Sequence, residues 1–312
     1  MKAIEVARFG GPEVLRLRDV PDPVPGDGEV VLDVEAADTL WLETRVRAGG
    51  GAPFFPVTLP YRPGVGAAGT VHGRRVLARL RHDGGGYATR VAAREDALFD
   101  IPDGVGAGEA AAVLHDGVTT LALLDVVKVV AGDRVLVTAA AGGLGALLVQ
   151  AARAAGATVV AAARGPAKLA ALRALGADAV VDYGVADWTD GVWDLTGGLD
   201  VVLDGAGGDY GRAAFDLVAE GGRFSSHGTP AGSFATADPD VARARGITAT
   251  GIEAVQLAPD GFRAYLTRAL AAVAAGRLTP LIGQTLPLDR AADAHAAIEG
   301  RTAIGKTVLA VT

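Results

Sequence analysis

The chain of 312 residues contains no cysteine. That excludes disulfides, thiolate nucleophiles, iron–sulfur clusters and every cysteine-based zinc site. Histidine is scarce too: five residues, at 72, 82, 115, 227 and 295, with no HExxH-like pair, so the sequence names no metal ligands. Aromatics make up 5% of the chain. Cations are outnumbered, with 29 Lys and Arg against 36 Asp and Glu, a net charge of −7. Nucleic-acid binders carry a basic footprint that is missing here. No window approaches 18 uninterrupted apolar residues, so no membrane-spanning helix is expected. The opening MKAIEVARFGG lacks the apolar centre of a signal peptide, and a cytoplasmic protein is expected. Glycine is abundant, at 44 residues, with no repeat or low-complexity tract to absorb it. Many turns, and a close approach of backbone to a ligand, follow from that excess.

Three stretches differ in pattern. Residues 1–114 are short and turn-punctuated. VVLDV (30–34) and RVLA (75–78) read as strands, set apart by clusters such as PDPVPG (21–26) and RAGGG (47–51). From about 115 to 250, short apolar strands alternate with alanine-rich helices. The strands are RVLVT (134–138), TVVAA (158–162), AVV (179–181) and DVVL (200–203), and helical spacing follows at 142–155 and 167–175. That alternation predicts βαβ units and a doubly wound parallel sheet. Continuous apolar strands fit burial on both faces. The remainder predicts a helix over 259–275, strand-like TLPL (285–288), a short helix over 289–299 and a closing strand, TVLAV (307–311). It is too short for a domain and is expected to pack back on another part of the chain.

Residues 137–172 carry the strongest signal. A strand ends at Thr138, small residues and Gly142, Gly143 and Gly145 follow, and an apolar helix begins at once. Small residues admit a pyrophosphate, and a helix N-terminus offers it free N–H groups. The following strand, ending AAAR (161–164), bears no carboxylate, although an NAD site places one roughly 20 residues past the glycines. Arg164 and Lys168 stand there instead, as a 2′-phosphate requires. The plain alternative is a pair of solvated cations at a helix start.

With PYRPGVGAAGTV (60–71), GGYATRV (85–91), the loop glycines and AHAAIEGRTAIGKTVL (294–309), the chain resembles the medium-chain dehydrogenase/reductase superfamily. The resemblance is to its zinc-independent quinone oxidoreductase branch, over essentially the whole length. It implies an α/β protein: a GroES-like β-rich catalytic domain (1–115, completed by 255–312) and a Rossmann domain with a doubly wound parallel sheet (116–254). It implies NADPH as cofactor, an active site in the cleft between the domains, and a homodimer joined through the Rossmann sheet edge, here ITATGI (247–252). For the cofactor it implies Ala139, Gly142, Gly143, Leu144 and Gly145 at the pyrophosphate and Arg164 and Lys168 at the 2′-phosphate. Tyr183 falls by the adenosine phosphate, Thr119 beside the nicotinamide, His227, Gly228 and Thr229 on a contact loop, and Lys306 near the cofactor. Departures fall on the substrate side. Leu40-Trp41-Leu42-Glu43 stands where the branch has Asn-x-x-Asp, Arg45 replaces a tyrosine, and His227 an aromatic.

Conjugate addition of hydride to a quinone, enone or enoyl compound needs no metal, only donors for the developing enolate and a proton source. His115, Thr119 and Arg45 are the candidate catalytic residues. His115-Asp116 reads more readily as a capping pair at a helix start, with Asp116 as N-cap. His227 faces the nicotinamide or satisfies a carbonyl. Arg45 binds substrate or lies solvated. Leu40, Trp41, Arg45, Phe54 and Phe55 are candidates for a substrate pocket, with core packing as the alternative for the aromatics. The expected function is an NADPH-dependent quinone or enone reductase. The competing readings are a non-catalytic NADPH-binding sensor or structural protein, which the loss of Asn at Leu40 favours, and a zinc-free alcohol dehydrogenase.

Overall fold

The computed structural model describes residues 1–51 and 55–311. The chain divides into two compact units, Met1–His115 with Leu266–Thr312, and Asp116–Tyr265.

The first unit opens with β1 (Lys2–Val6), β2 (Leu15–Asp19), β3 (Glu29–Asp38), α1 (Trp41–Arg47), β4 (Gly66–Val71), β5 (Arg74–Arg79), β6 (Arg90–Arg94), β7 (Leu98–Asp100) and α2 (Ala107–Val113). The second holds α3 (Asp116–Val127), β8 (Arg134–Val137), α4 (Gly143–Ala154), β9 (Thr158–Ala163), α5 (Pro166–Ala174), β10 (Ala179–Asp182) and α6 (Trp188–Thr196). It continues through β11 (Leu199–Asp204), α7 (Gly208–Asp216), β12 (Val218–Ser226), α8 (Pro239–Ala244) and β13 (Thr248–Gly251). The division falls within α9 (Pro259–Ala274), after which β14 (Ile282–Pro287), α10 (Ala291–Glu299) and β15 (Lys306–Ala310) return to the first unit.

In the first unit, β1 pairs with β2, and a second sheet runs β14-β15-β3-β4-β5-β7 with β6 also on β3. The returning segment therefore completes a sheet rather than forming a domain. Residues 36–38, at the end of β3, pair with β15, residues 36 and 37 pair with β4 on the other side, and all three are buried. An Asp at this position cannot reach water, so it must find partners inside.

The second unit is the doubly wound sheet that its alternating pattern predicts. Its six strands are all parallel, in the order β10-β9-β8-β11-β12-β13. Side chains alternate between two cores: Val135, Val137, Val159 and Val201 enter one, Leu136, Val160 and Val202 the other. Each such buried aliphatic contributes about 1.5–3 kcal/mol. The order reverses direction between β8 and β11, and in such sheets ligands bind beyond the C-terminal strand ends at that switch. The strand predicted over 247–252 is β13, at the sheet edge.

Ala107–Val127 is long and apolar enough, by length and composition, to cross a membrane. Here 61% of its apolar window is buried, and the stretch forms two helices, α2 on β3, β4 and β15 and α3 on α4.

Candidate functional site

The second unit gathers three loops at the C-terminal ends of β8, β11 and β12. Ala139 lies in the left-handed region, at φ +49°, a conformation that costs an L-residue about 1–2 kcal/mol. Gly142 precedes α4, no side chain caps that helix, and its first turn bears no acid, so its end is electropositive. The glycines divide the work. A Cβ on Gly145 would stand 2.5 Å from the Ala139 carbonyl oxygen and 2.7 Å from Ala140 Cα, so this glycine lets α4 pack against its own loop. A Cβ on Gly142 would meet only the Ala139 oxygen, at 3.4 Å, which leaves that surface open to a ligand.

Thr138 and Asp204 pin the loops together. The Thr138 hydroxyl donates to Asp204 at 2.6 Å and accepts from the Gly205 and Ala206 N–H groups. Asp204 is fully buried and accepts from the Ala206 and Gly207 N–H groups as well. Burial raises its pKa against these bonds. Gly228 packs so tightly on Gly205 that no side chain fits. Ser226, at the end of β12, has a buried hydroxyl with no hydrogen-bond partner among the described residues. A backbone cradle, an uncapped helix and an orphaned hydroxyl around one switch point fit a dinucleotide.

Arg164 follows β9, exposed, with its guanidinium bonded to the Tyr210 hydroxyl and 5.5 Å from that ring's centroid. Tyr183 lies against Tyr210, with ring centroids 4.8 Å apart. Lys168 is in the first turn of α5, partly exposed. Tyr210, on α7, completes this cluster, and nothing local in the sequence marks it. Leu144 stands in the first turn of α4 and Thr119 in that of α3, both partly exposed, as is Thr229. His227 is buried, its backbone N–H donates to the Asp204 carbonyl, and its Nδ1 lies 3.4 Å from the Ser225 hydroxyl. Burial pushes its pKa down to about 4, so it is neutral near pH 7 and is no acid there.

The first unit holds a different cluster. Asp38 on β3 faces Val308 on β15 in the antiparallel register. Lys306, two residues before Val308, lies on the same face and diagonally opposite. Its ammonium is 2.7 Å from Asp38 Oδ1, and His115 Nδ1, just past α2, is 2.7 Å from Oδ2. Burial pushes the Asp38 carboxyl up, but the Lys306 charge and the His115 bond outweigh it and hold it below the usual range. Lys306 is 5% exposed, and its ammonium pairs with this carboxylate. His115 engages Asp38, while Asp116 is already inside α3.

Glu43 and Arg47, one turn apart on α1, meet His295 and Glu299, one turn apart on α10. Arg47 pairs with Glu299. Glu43 accepts from the Leu40 and Gly64 N–H groups and the Tyr87 hydroxyl, and that hydroxyl lies 3.2 Å from His295 Nε2. Burial first, then the Asp38 charge, pushes the Glu43 pKa up to about 7. A carboxyl with a pKa above its ordinary 4.5 adds most stability in acid and loses it as pH climbs through 7. Thus Glu43→Gln should gain on the native chain as pH rises from 4.5 to above 7, by about 3 kcal/mol. The readout is the difference in Tm between the two; the acid-side titrations of His227 and His295 cancel in it. A difference flat with pH would mean that Glu43 titrates normally.

Of the other substrate-side candidates, Leu40 and Trp41 open α1 half-buried, Arg45 lies on its exposed face, and Phe55 packs at the edge of the first unit's core, 4.5 Å from the His82 ring. Phe54 lies outside the described residues. No group of three or more His or carboxylates that could hold a metal occurs among the described residues.

Comparisons with known proteins agree on the lineage. The family described as zinc-binding dehydrogenase matches residues 175–309. A quinone oxidoreductase of Sus scrofa is 30% identical, over 99% of this chain and 97% of its own. The quinone oxidoreductase of Thermus thermophilus, solved alone and with NADPH, is 35% identical with a TM-score of 0.87, over 99% of this chain and 100% of its own. A structure described as an NAD-dependent alcohol dehydrogenase is 31% identical with a TM-score of 0.88, over the whole of both chains.

Proposed function

Because the chain belongs to the quinone oxidoreductase branch of the medium-chain dehydrogenase/reductase superfamily, we propose that it is an NADPH-dependent oxidoreductase that reduces a quinone or an activated C=C bond. One observation carries the cofactor choice: the strand after the glycine loop ends in an exposed Arg164 and not in a carboxylate. Bound NADPH supplies a hydride. The chain's own residues do the rest. The cradle at Gly142 and the α4 N-terminus take the pyrophosphate, with Gly143, Leu144 and Gly145 in the first turn. Arg164 and Lys168 take the 2′-phosphate. His115 donates the proton, since His227 is neutral near pH 7 and Arg45 lies on the exposed face of α1. Zinc chemistry of the cysteine-ligated kind is closed to a chain without cysteine.

Replacing Arg164 and Lys168 together with Ala should raise KM for NADPH about ten- to hundredfold, the worth of one or two charge-assisted bonds. KM for NADH should change less than about threefold. Equal changes for both cofactors would remove the cations from the 2′-phosphate.

The test of the reaction is NADPH consumption with para-benzoquinone, phenanthrenequinone and α,β-unsaturated aldehydes. Turnover on one of these classes is expected. Tight NADPH binding without turnover on any of them would leave a binding protein, the reading that Leu40 in place of Asn supports. NADP⁺ reduction by simple alcohols would instead return an alcohol dehydrogenase.

The proposal extends to assembly. Among the described residues β13 is an edge strand with one side of its ladder unpaired, and such an edge invites a second copy. Solution scattering should return a dimer, and a monomer at micromolar concentration would refute it.

A further inference from the structure

With His115 read as the proton donor, Asp38 and Lys306 have no part in the reaction as described, yet both are buried charges beside it. Asp38 is fully buried, and its two oxygens are divided between the Lys306 ammonium and His115 Nδ1, each at 2.7 Å. An ion pair inside a protein gains little over apolar residues of the same size, so its presence asks for another reason. The geometry supplies one. A carboxylate facing Nδ1 demands a hydrogen on that nitrogen, so any proton the ring exchanges must travel through Nε2. The His115 side chain stays one-fifth exposed while Asp38, which anchors its Nδ1, is sealed. An isolated buried carboxylate would take up a proton and lose its hold on the ring. Lys306, placed by the β3–β15 register, prevents this.

We propose that Asp38 is a positioning residue that fixes His115 as the Nδ1–H tautomer, and that Lys306 keeps Asp38 ionised for that task. This rests on the proton-donor reading for its purpose, though the tautomer can be observed without turnover. In the reductive step, the Nε2–H bond of protonated His115 breaks, its electron pair stays on nitrogen, and the proton goes to the enolate or quinol oxyanion. The ring is left neutral, with Nδ1–H still donated to Asp38. Water returns the proton to Nε2.

The experiment is nitrogen-15 NMR of the full chain labelled at histidine, without substrate, at alkaline pH. His115→Gln assigns the signal by deleting it. The neutral ring should carry its proton on Nδ1. A ring protonated on Nε2, or a mixture, overturns the proposal with no variant involved. In Asp38→Leu/Lys306→Met both charges are removed together, so neither is left buried alone. There the signal should move to Nε2–H, and kcat should fall as far as in His115→Gln. Adding His115→Gln to that pair should cost nothing more, because Asp38 acts only through the ring. A tautomer that survives the double variant, or losses that multiply, overturns the positioning role. An intact kcat in His115→Gln beside the expected tautomer instead overturns the donor reading, and with it the purpose assigned to Asp38.

Discussion

Replacing His115 with Gln should lower kcat by about a hundredfold to ten-thousandfold, the range for removing a positioned general acid. The loss should depend on the electron acceptor. A quinol oxyanion resembles a phenolate, with a pKa near ~10, and water can protonate it. The carbanionic enolate from an unsaturated aldehyde is far more basic, so its capture of a proton depends more on a donor held in place. The larger loss is therefore expected with the aldehyde. NADPH affinity should stay within about threefold, since the proposed pyrophosphate and 2′-phosphate contacts do not include His115. Steady-state assays with both acceptors, beside NADPH binding and Tm, decide the matter. Unchanged turnover with a lower Tm would make His115 a structural link between β3 and the end of α2.

Gly145→Val should raise the dissociation constant for NADPH by at least about a hundredfold, equivalent to about 2.7 kcal/mol. The added atoms do not meet a movable side chain. They meet the Ala139 oxygen at 2.5 Å and the Ala140 Cα at 2.7 Å, so α4 and its loop must separate. Overpacking of this kind costs about 1–3 kcal/mol of stability as well. The loop it displaces is the same cradle proposed to take the pyrophosphate. Gly142→Ala is the informative contrast. Its new methyl has only an ordinary 3.4 Å contact, so Tm should hold while affinity falls. Titration of both variants with NADPH separates the glycine that packs from the glycine that admits the ligand. Equal Tm losses in the two would erase that distinction.

Much of the second unit is legible in the sequence because its signals are local. A run such as RVLV is apolar at every position after the first, and burial on both faces of a parallel sheet requires that of it. The glycine loop, the helix after it and the cation after β9 lie within some 30 residues of one another, as the βαβ unit dictates. The first unit is less legible. VVLDV and RVLA mark two strands, but nothing in them says that β15 closes on β3. Tyr210 reaches Arg164 only through the packing of α7, and Thr138 reaches Asp204 only because β8 and β11 are neighbours.

The absence of cysteine, the glycine cradle and the cation in place of a carboxylate were settled by the sequence alone. Each is a matter of residue type or of spacing within one unit of local structure. The choice of His115 over His227 in the proposed proton-donor role came only with the tertiary structure. His115 and His227 look alike in the chain, but burial leaves one neutral while the other sits on a buried carboxylate. That carboxylate is paired with a lysine from the opposite end of the chain, brought beside it by strand register. Register and burial are long-range properties, and no local pattern of residues contains them.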